Sequence, residues 1–210
     1  MDIYYLGLSS FRLKGKSATV LSDPYNYKSA GVKLGSGEVN IISVSGPNVK
    51  KELKGIESQA IELPGPGEYE IHAVQVIGIL GGRDGEQNTV FHFEIDGINI
   101  LHAGYLNKKL DEKEIEKLGV VDIVLVPVGG VAGVLSSSEI SDFVTKVEPS
   151  IVIPMLYANS KFDPKEYPNL GDLREFLKQM GKDSAEPLVK LSITKDKLPE
   201  EMQVIVLQIS

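Results

Sequence analysis

Apolar and polar positions alternate in blocks through the middle of the chain, from residue 98 to residue 157. Three apolar runs, INILH at 98–102, DIVLVPV at 122–128 and SIVIPM at 150–155, each lead into a turn marked by glycine or proline. The two segments between the runs have helix-like patterns. This order predicts neighbouring buried strands with helices packed on a face of the sheet.

The rim of that predicted sheet is where a ligand is expected. In open sheets of this kind, ligands bind beyond the carboxyl ends of the strands. The residues that follow the three runs should therefore lie near one another, and they are Tyr105, Gly129, Gly130, Leu156 and Tyr157.

Helical spacing is clear in three segments. Residues 110–118 have leucine or isoleucine at 110, 115 and 118 and acidic residues in the first turn, which is typical of an amphipathic helix. Ser136 with Glu139 forms a capping-box pattern that predicts a helix to about Val147. Residues 171–180 predict a third helix, which Gly181 ends.

The N-terminal half has the pattern of short strands. Residues 2–6, 10–13 and 17–22 predict an antiparallel meander with tight turns. Strict alternation over 89–95, followed by Asp96–Gly97, predicts a hairpin with 98–102. The other predicted strands are 39–45, 60–63, 72–80, 188–194 and 203–209. With no repeat or linker in the sequence, we predict a single domain over residues 1–210.

Composition and charge exclude several classes of protein. With 210 residues, of which 42% are hydrophobic, the chain can bury a sizeable core. Its net charge of −7 argues against nucleic acid and anionic membranes as partners. The absence of cysteine excludes disulfides, thiolate nucleophiles and cysteine-based zinc sites. No apolar run reaches the roughly 18 residues of a membrane span, and no signal peptide is evident, so we predict a cytoplasmic protein.

The order of the motifs carries a family resemblance. They are LGLSSF, VLSDPY, GPGEYEIHAVQVIGI, NTVFHFEIDGINILHAG, VDIVLVPVGG and IVIPMLY. In this order they resemble the metallo-β-lactamase fold superfamily, and in particular its compact branch of Zn-dependent hydrolases. The resemblance covers nearly the whole chain. It implies an α/β fold, a four-layer αβ/βα sandwich of two mixed β-sheets with outer helices, and a zinc site where the sheets meet.

The residues at the family's first metal-ligand positions are different here. The family motif His-x-His-x-Asp-His follows the strand that corresponds to 39–45, and this chain has SGPNVKK there. Gly46 and Asn48 stand in place of the first two histidines, and Lys50 and Lys51 stand in place of the aspartate and the third histidine. The resemblance therefore places no metal ligand in this motif.

The later ligand positions are changed as well. Arg83, followed by Asp84, stands at the family's next His-Asp pair. The family's His-x-Gly-Asp is HAGY here, with Tyr105 at the aspartate position, and its Pro-Met-His-Tyr is PMLY, with Leu156 at the histidine position. Leu8 occupies a position that is commonly histidine in the family.

These substitutions lead to a prediction about function. A zinc site needs at least about three protein ligands, and glycine and leucine cannot coordinate a metal through their side chains. Lysine and arginine place positive charge where a cation would lie. We predict a degenerate metal site, without metal, cofactor or catalytic residue, in a binding or scaffold protein. The occupant is a small molecule, a protein or a second copy of the chain.

Two alternatives stay open at this stage. The first is a metal-dependent hydrolase with non-standard ligands, acting on a small-molecule ester, amide or phosphodiester, or a metal-free hydrolase on the same rim. The second is a polar pocket for a small anion or an acid–base pair such as Tyr105 with Lys50. The candidates for that pocket are Asp23, Asp84 and His102. An adventitious metal site between His92, His102 and Glu94 is a further hypothesis; ordinary sheet histidines are the simpler interpretation.

Overall fold

The computed structural model describes residues 1–25, 37–46, 60–83, 87–129 and 133–210. Within these ranges, the strands form two mixed β-sheets. The first sheet has the order β12-β1-β2-β3-β4-β5 and the second has the order β13-β11-β10-β9-β8-β7-β6. The strands of the first sheet are β1 (Asp2–Gly7), β2 (Ser10–Lys14), β3 (Thr19–Ser22), β4 (Ile41–Ser43), β5 (Ile61–Glu62) and β12 (Leu191–Ser192). Those of the second are β6 (Gly67–Ile71), β7 (Val74–Leu80), β8 (Thr89–Ile95), β9 (Ile98–His102), β10 (Ile123–Pro127), β11 (Ile151–Met155) and β13 (Gln203–Val204).

The pairing of the strands follows the apolar pattern closely. Strands β1, β2 and β3 pair antiparallel, as the predicted meander requires, and β3, β4 and β5 continue in parallel. Strands β9, β10 and β11 are parallel neighbours. A long crossover connects each of these strands to the next, as parallel pairing requires. All residues of β10 are buried, as expected for a strand covered on both faces.

Three α-helices and one 3-10 helix (Lys195–Lys197) accompany the sheets in the described ranges; the α-helices are α1 (Glu112–Leu118), α2 (Ser137–Val147) and α3 (Leu173–Gln179). Asp111 and Ser136 close capping boxes at the starts of α1 and α2, which confirms the motif at Ser136. Helix α2 packs against β10 and α3. None of the helices in these ranges has the length and apolarity needed to cross a membrane.

The hairpin between β6 and β7 was not evident in the sequence. Residues 72–80 read as one strand, but the structure places a two-residue turn at His72 and Ala73, between the paired residues Ile71 and Val74. Both turn residues have positive φ, 50° and 60°, which is the backbone of a type I′ turn. Asparagine and glycine normally mark such turns, and neither is present here.

The two sheets meet in one core. Phe11 of β2 packs edge-on against His102 of β9, with ring centroids 6.1 Å apart. Tyr5 of β1 contacts Phe11 within the same layer, at 5.0 Å. The C-terminal segment joins both sheets, because β12 pairs with β1 and β13 pairs with β11. Burial of aromatic rings on both inner faces therefore fixes the position of one sheet on the other.

Candidate functional site

The carboxyl ends of the parallel strands do meet at one rim. Tyr105 follows β9 and Leu156 follows β11, and both line the same small pocket, together with Leu8 after β1. Gly129, after β10, touches the backbone of Leu156 so closely that a Cβ atom there would have no room. Tyr157 stacks on Tyr5 beneath the rim, at 6.0 Å. Gly130 lies outside the described residues.

The pocket has a volume of about 160 Å³. Leu8, Tyr105 and Leu156 line it, and the sequence alignment places all three at positions where this chain departs from the family motifs. The rest of the lining is the segment Glu166, Tyr167, Pro168, Asn169 and Leu170. The lining therefore consists of aliphatic side chains and phenol rings, with one carboxylate at Glu166 and one amide at Asn169.

The backbone at this pocket is in an unusual conformation. Leu8 and Leu156 have φ values of 52° and 56°, in the left-handed region. The N–H of Leu156 donates to the carbonyl oxygen of Leu8 at 2.9 Å, and the hydroxyl of Tyr5 donates to the same oxygen at 3.0 Å. A left-handed leucine costs roughly 1–2 kcal/mol, whereas histidine, asparagine and aspartate are found there more often. Such strain is concentrated at functional sites in proteins.

Asp23 is a buried carboxylate close to the pocket. The backbone φ of Asp23 is 42°, and the residue is only 1% exposed to solvent. One carboxylate oxygen accepts the N–H of Ser45 at 2.7 Å, and the other accepts the hydroxyl of Ser45 at 2.6 Å. Two short hydrogen bonds to Ser45, just beyond the end of β4, account for the burial of this carboxylate.

His102 lies beside Asp23, with Nε2 at 3.9 Å from Oδ2 of the carboxylate. Its Nε2 is 2.7 Å from the carbonyl oxygen of Ser9. Because a carbonyl oxygen can only accept, Nε2 carries the proton. The other ring nitrogen, Nδ1, is buried and has no hydrogen-bond partner among the described residues. Asp23 and His102, two of the predicted polar-pocket residues, are thus neighbours, but neither contributes to the described lining of the 160 Å³ pocket.

Tyr105 is the titratable group of the pocket with the largest perturbation. Burial, and then the nearby charge of Asp23, raises the pKa of Tyr105 to about 12, although a hydrogen bond with Ser9 acts in the opposite direction. Its phenol is consequently protonated at neutral pH. It can therefore donate a hydrogen bond.

The described residues at the family's ligand positions do not fit a zinc ion. Leu156 offers only methyl groups, and burial, followed by the charge of Asp23, raises the pKa of Tyr105 to about 12, which disfavours its phenolate form. A Cβ atom at Gly46 would lie 2.7 Å from the carbonyl oxygen of Gln87, so a larger residue would collide there. Arg83 is exposed, and its backbone N–H donates to Oδ1 of Asn107 at 2.9 Å. Across the ranges that the structure describes, no three histidine or acidic side chains form a metal-sized group.

Four of the positions singled out in the sequence have no structural description. They are Asn48, Lys50, Lys51 and Asp84, which lie outside the described residues. The proposed acid–base pair of Tyr105 with Lys50 therefore stays a prediction.

The hypothesis of a metal site between His92 and His102 is wrong. Phe91 lies opposite His102 in the hairpin, and Leu101 lies opposite His92. Because side chains alternate along a strand, the two histidines face opposite sides of the sheet. Nε2 of His92 is 3.2 Å from the carbonyl oxygen of Val120, and burial lowers the pKa of this histidine.

Sequence reasoning missed Asn88, which shapes the loop that presents Tyr105. Oδ1 of Asn88 accepts the N–H of Tyr105 at 2.8 Å, and its Nδ2 donates to the carbonyl oxygen of Ala103 at 3.1 Å. Gly104, between them, has a φ of 58° and leaves no space for a Cβ atom beside Ser45 and Asn88. An asparagine just before a strand gives no signal of this role.

The fold and the rim define the class of the protein. The chain belongs to the family described as the beta-lactamase superfamily domain, whose model matches residues 2–156. This confirms the resemblance and the fold class that the sequence predicts.

Solved structures agree with this assignment. A protein from Thermotoga maritima that carries the name of a Zn-dependent hydrolase of the metallo-beta-lactamase superfamily has a TM-score of 0.78 and 26% identity, covering 98% of this chain and 97% of that chain. Igni18, a novel metallo hydrolase from Ignicoccus hospitalis, has a TM-score of 0.59 and 16% identity, over 92% and 99%. The metallo-beta-lactamase fold protein YhfI from Bacillus subtilis has a TM-score of 0.61 and 7% identity, over 99% and 96%. The last two show the shared fold alone. No curated protein matches the chain.

Proposed function

We propose that this chain is a metallo-β-lactamase-fold protein in which the metal centre has been replaced, and that it binds a small organic molecule at the rim instead of hydrolysing one. The observation that carries the proposal is the pocket itself. Leu8, Tyr105 and Leu156 line it together, at about 160 Å³, in place of the family's ligands. The family's ligand types are thus replaced together at the ends of three strands that are far apart in sequence.

The lining indicates the class of ligand. An apolar cavity of about 150 Å³ can hold one benzene-sized molecule. Leucine side chains and the rings of Tyr105 and Tyr167 suit such a molecule, and the protonated phenol of Tyr105 can donate to an acceptor on it. We therefore propose a single-ring ligand with one hydrogen-bond acceptor.

The first experiment measures metal. The purified protein is loaded with zinc, dialysed without chelator and analysed for metal content. We expect far less than one zinc ion per chain, because the described rim offers no suitable set of ligands. Stoichiometric zinc that survives dialysis would contradict the proposal.

A matched variant tests whether the side chains of Tyr105 and Leu156 are the reason for weak zinc binding. Tyr105→Asp/Leu156→His restores two of the family's residue types at the left-handed rim, and we expect it to retain more zinc than the wild-type protein. Tyr105→Phe serves as the control, since it changes the same position without adding a ligand. Equal zinc in all three proteins would remove the link between these side chains and metal binding.

A second experiment tests the ligand. Phenol is titrated against the wild-type protein and followed by the chemical shifts of the methyl groups lining the pocket. Leu170 lies half-buried at the edge, so Leu170→Trp should block entry while leaving the core intact. The chain has no tryptophan, and the new fluorophore therefore also reports whether the variant folds. We expect saturable changes in these methyl chemical shifts in the wild-type protein and none in Leu170→Trp. Chemical-shift changes spread over the whole surface would refute the site.

The alternative is a metal-dependent hydrolase with non-standard ligands. It is favoured by the buried neighbours Asp23 and His102, whose free Nδ1 is a possible ligand atom, and by the name of the 26% identical protein. His102→Gln distinguishes the two ideas, because glutamine keeps a similar volume and removes the imidazole. Zinc bound to the wild-type protein and lost in His102→Gln would support the hydrolase.

A further inference from the structure

A second pocket lies at the other end of the sandwich. Its volume is about 370 Å³, and turns from both sheets form it. The lining residues come from the chain start and from the ends of β2, β8 and β12: Met1, Asp2, Lys14, Gly15, Lys16, Asp96, Ser192, Ile193, Thr194 and Lys197.

This pocket is separate from the rim. Asp96 precedes β9 and Tyr105 follows it, so the five residues of that strand stand between the two pockets. At roughly 3.3 Å per residue, this is a separation of about 17 Å. The two pockets share no lining residue.

The carboxylates of this second pocket already have partners. Asp2 accepts the hydroxyl of Ser192 at 2.6 Å and the amine of Lys190 at 3.0 Å. These contacts, the serine bond first, lower the pKa of Asp2. Asp96 accepts the backbone N–H of Lys16 at 3.0 and 3.2 Å, and the Met1 amine is 3.9 Å away. The negative charges at this end are therefore largely compensated.

The lysines of the pocket are not compensated in the same way. Among the described residues, Lys14, Lys16 and Lys197 form no ion pair within 4.0 Å. A hydrogen bond with Thr194 is the main cause of the lowered pKa of Asp196, and the charge of the neighbouring Lys197 adds to it. Three lysines that form no ion pair with another described residue thus line one pocket of a chain whose net charge is −7.

We propose that this second pocket binds a small organic phosphate. Lysine amines bind phosphate as point charges, and here they come from two separate turns around one hollow. The volume of about 370 Å³ exceeds what inorganic phosphate needs and lies in the range of sites for small metabolites. Half-buried Ile193 and Met1 supply an apolar wall for the organic part. None of these residues takes part in the function proposed for the rim.

The test compares adenosine monophosphate with inorganic phosphate, each titrated calorimetrically at low ionic strength. Three proteins are used: the wild type, Lys14→Gln/Lys16→Gln/Lys197→Gln, and the control Lys113→Gln/Lys117→Gln/Lys178→Gln. The control removes the same number of charges from exposed positions on α1 and α3. We expect saturable binding of adenosine monophosphate, at least about tenfold weaker in the pocket variant and less than about twofold weaker in the control.

Other outcomes would overturn the proposal. Without saturable binding to the wild-type protein at millimolar ligand, the pocket is only a solvated surface. An equal loss of affinity in both variants would mean that net charge, and not this pocket, governs binding. Equal affinities for inorganic phosphate and adenosine monophosphate would exclude a contribution of the organic part. All of these results are independent of whether the rim binds zinc or phenol.

Discussion

The two pockets lie at opposite ends of the same strands and are built in opposite ways. At the rim, Leu8 and Leu156 are almost fully buried and have a strained backbone. At the other end, Lys14, the last residue of β2, and Lys197, in a short 3-10 helix at Lys195–Lys197, are exposed. A change at the rim therefore acts on the core and on folding, whereas a change among the lysines acts on long-range charge. The left-handed backbone of the rim lowers the stability of the fold, whereas the exposed lysines at the other end do not.

The largest expected difference between the two ends appears at high pH. Burial raises the pKa of Tyr105 and of Tyr157 to about 12, while a phenol in the unfolded chain ionises near pH 10. The unfolded state therefore loses its protons first, and stability present below about pH 10 is lost as the pH rises toward 12. Each phenol contributes up to about 1.4 kcal/mol per pH unit, so the two together remove up to about 5 kcal/mol.

Urea unfolding from about pH 9 to about pH 12 measures this loss. The variant Tyr105→Phe/Tyr157→Phe should lose stability more gradually than the wild-type protein, since it has two fewer buried phenols. If both proteins show the same dependence on pH, the phenols of the rim do not govern alkaline unfolding.

The next effect is the loss of packing at the rim. Leu156 is 2% exposed, so Leu156→Ala should lower the free energy of unfolding by about 3 kcal/mol. Lys14→Ala, at the exposed end, should change it by less than about 0.5 kcal/mol. Equilibrium unfolding in urea at neutral pH, with an unchanged m-value, measures both. Similar values for the two variants would show that the rim is not part of the core.

The smallest effect tests the backbone of the rim directly. At Leu156, with its φ of 56°, glycine avoids the left-handed penalty, so Leu156→Gly should be more stable than Leu156→Ala by about 1 kcal/mol. At Leu125, in the extended strand β10, the order should be reversed. Thermal unfolding of the four variants gives both comparisons. The same order at the two positions would contradict the left-handed conformation at Leu156.

Much of the fold could be predicted from local patterns. Alternation over 89–95 and the Asp96–Gly97 turn give the β8–β9 hairpin at its observed bounds, and the capping box at Ser136 gives the start of α2. These signals depend on residues a few positions apart. The turn at His72 and Ala73 could not be predicted, because tertiary pairing, and not residue type, holds those residues at positive φ.

The site was predicted in part. Motif order predicts that Leu156 and Tyr105 stand at ligand positions, which stays a prediction, and the structure brings the two residues to the same pocket. The opposite orientation of His92 and His102 was missed, although it follows from the register of a two-residue hairpin. The other wall of the pocket, at Tyr167, comes from a loop with no regular pattern.

The sequence by itself determined the family and the residue types that we align with the family's ligand positions, because motif order and residue identity are local properties of the chain. Only the tertiary structure decided what those residues make together. The left-handed rim, the pocket between Leu8 and Leu156, the Asp23–His102 pair and the lysine pocket all join segments distant in sequence. Their distances depend on how the two sheets pack, and that is set by the whole core at once.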